Sequence, residues 1–236
     1  MRSPKVKIAI FHGSPRKGNT YTATSIFMDE LKQCGDVQLT EFFLPESMPK
    51  FCTGCQLCFG FPSGKCPHFE YVEPIKDAIL AADALIFTTP HHAGSTMSAC
   101  MKNLLDHIDF FAMTVTPHEE IFRKKAFILT TGTGSTSAIK PIKRGLKHWA
   151  INRVYSLGLR MFSNKWANMP EAGRTRLEQA IRRAARKFYA APIRRPYLST
   201  VFMYYLDRFI MNKYIGEGNY PYEYWREKGF LAKRPF

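Results

Sequence analysis

Residues 5–20 read KVKIAIFHGSPRKGNT, and this stretch decides the fold. Residues 5–12 form a short apolar run that is typical of a buried strand, whereas residues 13–20 are small, polar and basic. This connection is long for a plain turn, because strand-to-helix loops usually take about two to six residues. Apolar residues then recur at helical spacing over residues 20–34, and Gly35 ends the helix. The stretch therefore predicts a strand, a loop that holds a ligand, and a helix.

The rest of the chain repeats this alternation of apolar strands and amphipathic helices. Further strands are predicted at residues 37–44, 84–89, 125–131 and 154–162. Strands that alternate with helices indicate a parallel sheet covered on both faces. We therefore predict an α/β fold, a flavodoxin-like three-layer sandwich with a five-stranded parallel sheet. Residues 1–192 would form this domain, and residues 193–236 a C-terminal apolar and aromatic extension.

Three loops rich in Gly, Ser and Thr follow predicted strands. They are GSPRKGNT at residues 13–20, PHHAGSTMS at 90–98 and GTGSTS at 132–137. In open α/β sheets, ligands bind beyond the carboxyl ends of the strands, where such loops meet. We therefore expect these three loops to form one binding site.

The first loop has the chemistry of a phosphate-binding loop. It leads into a helix N-terminus, whose free N–H groups and dipole favour an anion. Ser14, Asn19 and Thr20 add polar donors, and Asn19 or Thr20 is expected to cap the helix. Arg16 adds a charge that pairs well with phosphate. The loop has neither the Walker spacing nor the G-x-G-x-x-G pattern, so a P-loop NTPase and a Rossmann dinucleotide site are disfavoured.

Four motifs resemble segments of the NADPH-dependent FMN reductase family. GSPRKGNT resembles its phosphate loop, TTPHHAGSTMSACMKNLLDH its second flavin segment, and TTGTGS its glycine-rich third. CTGCQLCFGFPSGKC resembles the cysteine segment of the iron–sulfur flavoprotein branch. The resemblance covers residues 5–165 and implies a flavodoxin-like fold, bound FMN and NAD(P)H as the electron donor.

The resemblance also implies which residues bind FMN. Those that would hold its phosphate are Ser14, Arg16, Asn19 and Thr20. Those that would line its isoalloxazine ring are Pro90, His91, His92, Ala93, Gly94 and Ser95, with Thr131, Gly132, Thr133 and Gly134 along the other edge. His92 stands where the family usually has Tyr. Because the cofactor carries the chemistry in such proteins, no catalytic side chain is predicted.

Four of the six cysteines cluster, with the spacing C-x2-C-x2-C-x7-C at Cys52, Cys55, Cys58 and Cys66. In a protein without secretory features this pattern indicates metal binding or redox chemistry. The first three resemble a ferredoxin run, which makes a [4Fe–4S] cluster one interpretation. Free thiols beside the flavin, and a zinc ion with His68 as a further ligand, are the alternatives that stay open. Because the segment follows strand two, we expect it to lie near the flavin loops.

The net charge of +15 favours polyanionic partners, although basic residues often only solvate a helix face. No nucleic-acid-binding signature accompanies the charge, so no nucleic-acid partner is predicted. The N-terminal apolar run is too short for a signal peptide, which makes a cytoplasmic location the expectation.

The segment at residues 197–215 is apolar on almost every side and must bury itself against something. We expect an oligomer contact, in a homodimer or homotetramer, or a lid over the active site. Peripheral membrane contact, aided by Arg182, Arg183, Arg194 and Arg195, is the weaker alternative.

The predicted function is an FMN-dependent oxidoreductase that passes electrons from NAD(P)H to a quinone, a flavin, a small aromatic molecule or a protein acceptor. The alternative is a non-catalytic flavin electron carrier, with or without an iron–sulfur cluster. A redox or metal sensor that acts through the cysteine segment is a third class.

Overall fold

The computed structural model of the protein describes residues 5–92, 96–151, 153–193 and 196–236. Its strands are β1 (Val6–His12), β2 (Val37–Phe43), β3 (Ala84–Pro90), β4 (Lys125–Gly132) and β5 (Arg153–Arg160). They form one parallel sheet in the order β2-β1-β3-β4-β5. The predicted flavodoxin-like α/β fold is therefore confirmed, with every strand within two residues of its predicted bounds.

The helices cover both faces of this sheet. They are α1 (Asn19–Cys34), α2 (Leu44–Ser47), α3 (Leu57–Gly60), α4 (Phe69–Ala81), α5 (Ala99–His107), α6 (Glu119–Phe122), α7 (Ile139–His148), α8 (Glu171–Ala190), α9 (Leu198–Ile210) and α10 (Tyr220–Glu227). One core lies between the sheet and α4, α5 and α7. A second core lies between the opposite face and α1 and α8. Because both faces are covered, β3 and β4 are buried along almost their whole length.

Two consecutive lysines fasten helices to the start of β4. Lys124 is 4% exposed, and its ammonium donates hydrogen bonds to the carbonyl of Leu80, at 2.8 Å, and to the residue that follows α4. Lys125 is 8% exposed and donates to Phe188 at 2.6 Å and to Tyr189 at 2.9 Å, both at the end of α8. A lysine ammonium satisfies the free carbonyls of a helix C-terminus well. The two amines thus hold helices on opposite faces of the sheet.

Part of the basic run on α8 has a structural role. Arg182 and Arg186 bind the carboxylate of Glu30 on α1, at 3.1 and 2.5 Å, and Glu30 is 3% exposed. The two arginines lower the pKa of this carboxyl group, with the hydrogen bond from Arg186 as the largest cause. These basic residues therefore join α1 to α8 instead of forming a free anion-binding surface.

The C-terminal extension folds back on the domain beyond α8. Tyr204 of α9 stacks on Trp225 of α10 at 5.3 Å, and both rings are fully buried. The Tyr204 hydroxyl donates to the carbonyl of Phe230 at 2.7 Å. This cluster packs on Met113 and on Phe122, in the segment between α5 and β4. The predicted apolar helix is thus partly covered by its own chain.

The other face of α9 is open. Leu198, Phe202 and Phe209 are 87%, 67% and 53% exposed, and a π-helical turn continues the helix over Met211–Ile215. Among the described residues, no helix combines the length and apolar character that crossing a bilayer requires. Arg194 and Arg195, which we considered for membrane contact, lie outside the described residues.

Candidate functional site

A cavity of about 580 Å³ opens at the carboxyl edge of the sheet. The predicted residues that line it are Ser14, Arg16, Asn19, Thr20, Pro90, His91, His92, Thr131, Gly132 and Thr133. The three Gly/Ser/Thr loops therefore meet at one place, as the topology predicts. Ala93, Gly94 and Ser95 belong to the predicted set but lie outside the described residues.

A fourth loop, which was not predicted, completes this cavity. The wall after β5 consists of Met161, Phe162, Ser163 and Asn164. Its position follows from the same rule that selected the other loops, because the carboxyl end of β5 lies at the same sheet edge. The segment carries no glycine run, so its composition alone does not distinguish it from an ordinary loop.

The first loop leaves the N-terminus of α1 open to a ligand. Gly18 is the N-cap residue, and no side chain caps the helix there. The expectation that Asn19 or Thr20 caps α1 is therefore wrong. The first turn of a helix has N–H groups without internal partners, and together with the helix dipole they attract an anion. Arg16, on the same cavity wall, adds a full positive charge.

Asn19 and Thr20 instead hold neighbouring loops in place. The Asn19 amide donates to the carbonyl of Ser163 at 2.8 Å, which ties α1 to the loop after β5. The Thr20 hydroxyl lies 2.7 Å from the hydroxyl of Thr131 at the end of β4. Both side chains thus bind other parts of the protein. The backbone N–H groups of the first turn of α1 are therefore the groups available to an anion.

Ser98, which was not among the predicted site residues, holds the first loop in position. Its hydroxyl donates to the carbonyl of Gly13 at 2.5 Å and accepts a hydrogen bond from the N–H of Met101, which caps α5. Its own N–H donates to the hydroxyl of Thr89 at 3.0 Å. The N-terminus of α5 is thus capped by a side chain, whereas the neighbouring N-terminus of α1 is not. A serine just before a helical run is the sequence signal that could have identified it.

His91 and two glycines form the wall beside the end of β4. The N–H of His91 donates to the carbonyl of Thr131 at 2.7 Å. A Cβ added to Gly134 would lie 2.5 Å from Nε2 of His91, and one added to Gly132 would lie 3.0 Å from its Cβ. Gly132 has a φ of 128°, which residues with a side chain rarely adopt, and a side chain at position 134 would displace the His91 imidazole. Nε2 of His91 is buried and has no hydrogen-bond partner among the described residues.

These features fit a phosphorylated, ring-shaped cofactor such as FMN. The cavity volume falls within the range of about 300–1,000 Å³ that is common for small-molecule sites. An open helix N-terminus with Arg16 suits a phosphate at one end. The buried Nε2 of His91 indicates a polar partner that the described residues do not supply.

The four clustered cysteines line a separate cavity of about 280 Å³. Gly54 and Gln56 have positive φ values of 67° and 59°, which turn the chain sharply between the cysteines. The N–H of Cys52 donates to the side-chain oxygen of Asn103 at 3.0 Å. The amide nitrogen of Asn103 donates in turn to the carbonyl of Lys50 at 2.8 Å. Asn103, on α5, thus holds the start of the cysteine loop in place.

The thiols lie close enough to influence one another. Burial raises the pKa of Cys58 to about 11, and the negative charges of Cys66, Cys52 and Cys55 add to that increase. Burial likewise raises the pKa of Cys66. Without a bound group, the buried thiols therefore stay protonated.

The described residues show no ready site for a single metal ion. Zinc requires four donor atoms within about 2.0–2.3 Å of one point. Among the described residues, no three His, Cys, Asp or Glu side chains are grouped closely enough to hold one metal ion. An iron–sulfur cluster takes its cysteines on different iron atoms and spreads them around a larger core.

A histidine pair stands beside the cysteines. Nδ1 of His107 lies 3.0 Å from the carbonyl of Asn103, and its Nε2 lies 2.9 Å from Nδ1 of His68. A carbonyl only accepts, so Nδ1 of His107 carries the proton and its Nε2 accepts from Nδ1–H of His68. Burial lowers the pKa of His107, which keeps this ring neutral. The Nε2 lone pair of His68 is then free, as in a metal ligand or a proton acceptor.

The two cavities lie at opposite ends of α5. Ser98 caps the first turn of α5 beside the Gly/Ser/Thr loops of the larger cavity. His107, at the other end of α5, lines the cysteine cavity. The helix rise places these ends about 13 Å apart. The cavities have no lining residue in common. The cysteine loop leaves the expected sheet edge, and its start is bound to Asn103 in the middle of α5.

Known proteins resemble this chain in sequence and in fold. A model of the NADPH-dependent FMN reductase family matches residues 6–168. An iron–sulfur flavoprotein of Clostridioides difficile (strain 630) is 30% identical over 127 residues, or 52% of this chain and 53% of that protein. One from Archaeoglobus fulgidus is 23% identical over 228 residues, or 93% of this chain and 97% of that protein. The chain thus spans about half of the first relative and nearly all of the second.

Solved structures share the fold at low identity. An NADH:FMN oxidoreductase (EmoB, apo form) has a TM-score of 0.54 at 21% identity, covering 81% of this chain and 95% of that one. The NAD(P)H:quinone oxidoreductase from Methanothermobacter marburgensis has a TM-score of 0.58 at 17% identity, with coverage of 79% and 98%. These similarities extend the fold assignment to the whole sandwich.

Proposed function

Because the chain belongs to the NADPH-dependent FMN reductase family, we propose that it is an FMN-dependent oxidoreductase that takes electrons from NAD(P)H. The acceptor would be a quinone, a flavin, a small aromatic molecule or a protein. The observation that carries this proposal is the cavity at the carboxyl edge, with the open N-terminus of α1 and Arg16 on its wall. Both relatives named above are iron–sulfur flavoproteins, which supports an electron-transfer role.

In this proposal the FMN phosphate lies against the first turn of α1 and the Arg16 guanidinium. The ring system lies between Pro90–His92 and the end of β4, where Gly132 and Gly134 leave room for His91. The chemistry that FMN supplies when bound is hydride acceptance from a nicotinamide and release of electrons singly or in pairs. The protein binds and orients the partners and needs no acid or base of its own.

We propose that Phe162 contacts the electron donor or acceptor when that molecule enters the cavity. It lies at the mouth of the cavity, is 78% exposed, and has the guanidinium of Arg160 5.3 Å from its ring centre. An exposed ring beside a cation suits a planar molecule with negative charge, such as a nicotinamide nucleotide.

We further propose that Cys52, Cys55, Cys58 and Cys66 hold a [4Fe–4S] cluster. The support is their convergence on one cavity and the names of the relatives. Metal and sulfide analysis of anaerobically purified protein tests this. Four irons and four sulfides per chain are expected, and iron-free protein after anaerobic reconstitution would contradict the cluster.

The flavin is tested by heating the protein and separating the released cofactor by chromatography. FMN is expected; FAD, or no flavin after reconstitution, would overturn the proposal. Anaerobic NADPH and NADH are then added to the yellow protein, and bleaching of the flavin bands is expected with at least one of them. The cysteine cavity favours one alternative, a carrier of single electrons between proteins. Reduction by ferredoxin but by neither nicotinamide would support that carrier.

We also propose that a second copy of the chain covers the open face of α9. Exposed apolar residues that recur along one helix face commonly mark an interface. Leu198, Phe202 and Phe209 form such a row on the side opposite the buried Tyr204. Residues 193–236 would then act both as a cover on their own domain and as an oligomer contact.

A further inference from the structure

A third cavity, of about 490 Å³, lies away from both sites described above. One wall is α9, and the other comes from the segment after α5 and the end of α7. Ile151, two residues before β5 begins, lines it, which places the cavity at the amino edge of the sheet. The flavin-type cavity opens at the carboxyl edge, so the two cavities are independent.

A buried carboxylate faces this third cavity. Asp207 of α9 lines it and is only 3% exposed. No hydrogen bond or ion pair joins its carboxylate to any described residue. The Tyr204 hydroxyl, one turn earlier on α9, lies 2.7 and 2.8 Å from two carbonyls beyond α10, so its proton is already shared between them. An acidic side chain is rarely buried without a partner, because losing water without compensation is costly.

The other lining residues indicate which kind of ligand would pair with the Asp207 carboxylate. Met113, Ile151 and Met203 give the cavity an apolar lining suited to a hydrocarbon or an aromatic body. Lys147 and His148 lie at the exposed rim. The Lys147 ammonium would repel a ligand with several cationic groups, whereas a single ammonium bound at the floor would lie next to Asp207.

We propose that this cavity binds a small organic monoamine, with its ammonium group on the Asp207 carboxylate and its apolar body between Met113, Ile151 and Met203. The volume is in the range of ordinary small-molecule sites. A charged hydrogen bond in an apolar cavity is stronger than one in water. The site is separate from the proposed flavin chemistry and does not depend on it. The competing occupant is the Lys147 ammonium, swung inward from the rim.

Benzylamine is the probe, and benzyl alcohol is its neutral match in shape. The full-length protein with its cofactors is titrated by calorimetry at about pH 7.5, where Asp207 is ionised. Saturable binding of benzylamine is expected, with benzyl alcohol at least about ten-fold weaker. Asp207→Asn should weaken benzylamine binding by about ten-fold or more without changing the flavin spectrum. Glu217→Gln, which removes an exposed carboxylate from the same extension, should bind like the wild type.

Met203→Trp fills the cavity and should also abolish binding, so the test does not rest on one variant. Lys147→Met should bind at least as tightly as the wild type. Equal affinity of the wild type and Asp207→Asn would overturn the proposal. So would the absence of saturable binding up to about 10 mM benzylamine. Binding that appears only in Lys147→Met would overturn it as well, because Lys147 would then be the native partner of Asp207.

Discussion

Arg16 is the side chain that brings a full positive charge to the wall of the flavin-type cavity. Arg16→Ala is expected to weaken FMN binding by about 1–3 kcal/mol, the scale of one lost charge-assisted hydrogen bond. Fluorescence titration of the apoprotein with FMN measures this. Arg183→Ala, which removes an exposed arginine of α8 outside the cavity, is the control and should bind FMN normally. Unchanged affinity in Arg16→Ala would remove this residue from the phosphate site.

Asp207 makes the stability of the protein depend on pH. Burial raises its pKa to about 6, so between about pH 4 and 6 the folded chain keeps a proton that the unfolded chain releases. Its contribution to the free energy of unfolding therefore falls as the pH rises through this window and stays low above it. Over the whole window, the free energy of unfolding is expected to fall by about 3 kcal/mol because of this one group. Lys147 across the cavity and the adjacent Arg208 are the cationic groups that would reduce this loss, and His148 is the other titratable group on the cavity wall.

Urea unfolding of the wild type and Asp207→Asn at several pH values checks this. The variant is expected to be the more stable protein at about pH 7.5, and the difference should shrink toward about pH 5. Other groups that titrate in this range occur in both proteins and cancel in the difference. A difference that does not change with pH would mean that Asp207 is solvated or paired.

At the scale of elements, Lys125 holds the C-terminus of α8 on the sheet. Its ammonium donates to three carbonyls at that end. Lys125→Met keeps the aliphatic stem but leaves those carbonyls without a donor, and should reduce the free energy of unfolding by about 2–4 kcal/mol. Urea unfolding measures the loss. Lys187→Met changes an exposed lysine of the same helix and should have an effect within about 0.5 kcal/mol. Equal stability of the two variants would show that the Lys125 hydrogen bonds contribute nothing to the free energy of unfolding.

Helix α5 supports both cavities, and its residues can be separated by experiment. Asn103 binds the backbone of the cysteine loop, whereas Ser98 binds the first flavin-type loop. Asn103→Ala should therefore lower iron content and leave FMN content intact, while Ser98→Ala should weaken FMN binding and leave iron intact. Iron and flavin assays on the same preparations check both. Loss of both cofactors in either variant would mean that α5 has unfolded, which circular dichroism detects.

The elements were largely predictable from the sequence, since β3, β4 and the part of β1 from Ile8 onward are buried on both faces and show as apolar runs. The site was predictable only where its residues have a distinctive composition. Phe162 and Ser163 line the cavity because of where β5 ends, and no local pattern marks them. Asn19 was misassigned as a cap because its amide partner, the Ser163 carbonyl, lies 144 residues away in sequence. Such long-range partners are set by packing.

At the scale of the whole molecule, the open face of α9 predicts an assembly. Light scattering on the full-length chain should give at least a dimer. Phe202→Glu combined with Phe209→Glu should give a monomer that retains its fold, because both rings are exposed and Phe209 contacts only the surface residues Lys213 and Tyr214 within the described chain. Glu substitution at Arg183 and Lys187, exposed positions of α8 outside the extension, is the control and should preserve the assembly. A monomeric wild type that does not bind acidic liposomes would leave the extension as a cover for its own domain.

The paired lysines at the start of β4 also provide a natural reporter of the intact fold. Burial lowers the pKa of Lys124 to about 8, a shift that belongs to the closed fold and is lost when the amine reaches water. In the folded chain both amines are shielded, whereas most lysines lie at the surface. Acylating reagents should therefore modify Lys124 and Lys125 only when the sheet opens. Mass spectrometry of these two positions over time would then give the rate of global opening under native conditions, without denaturant.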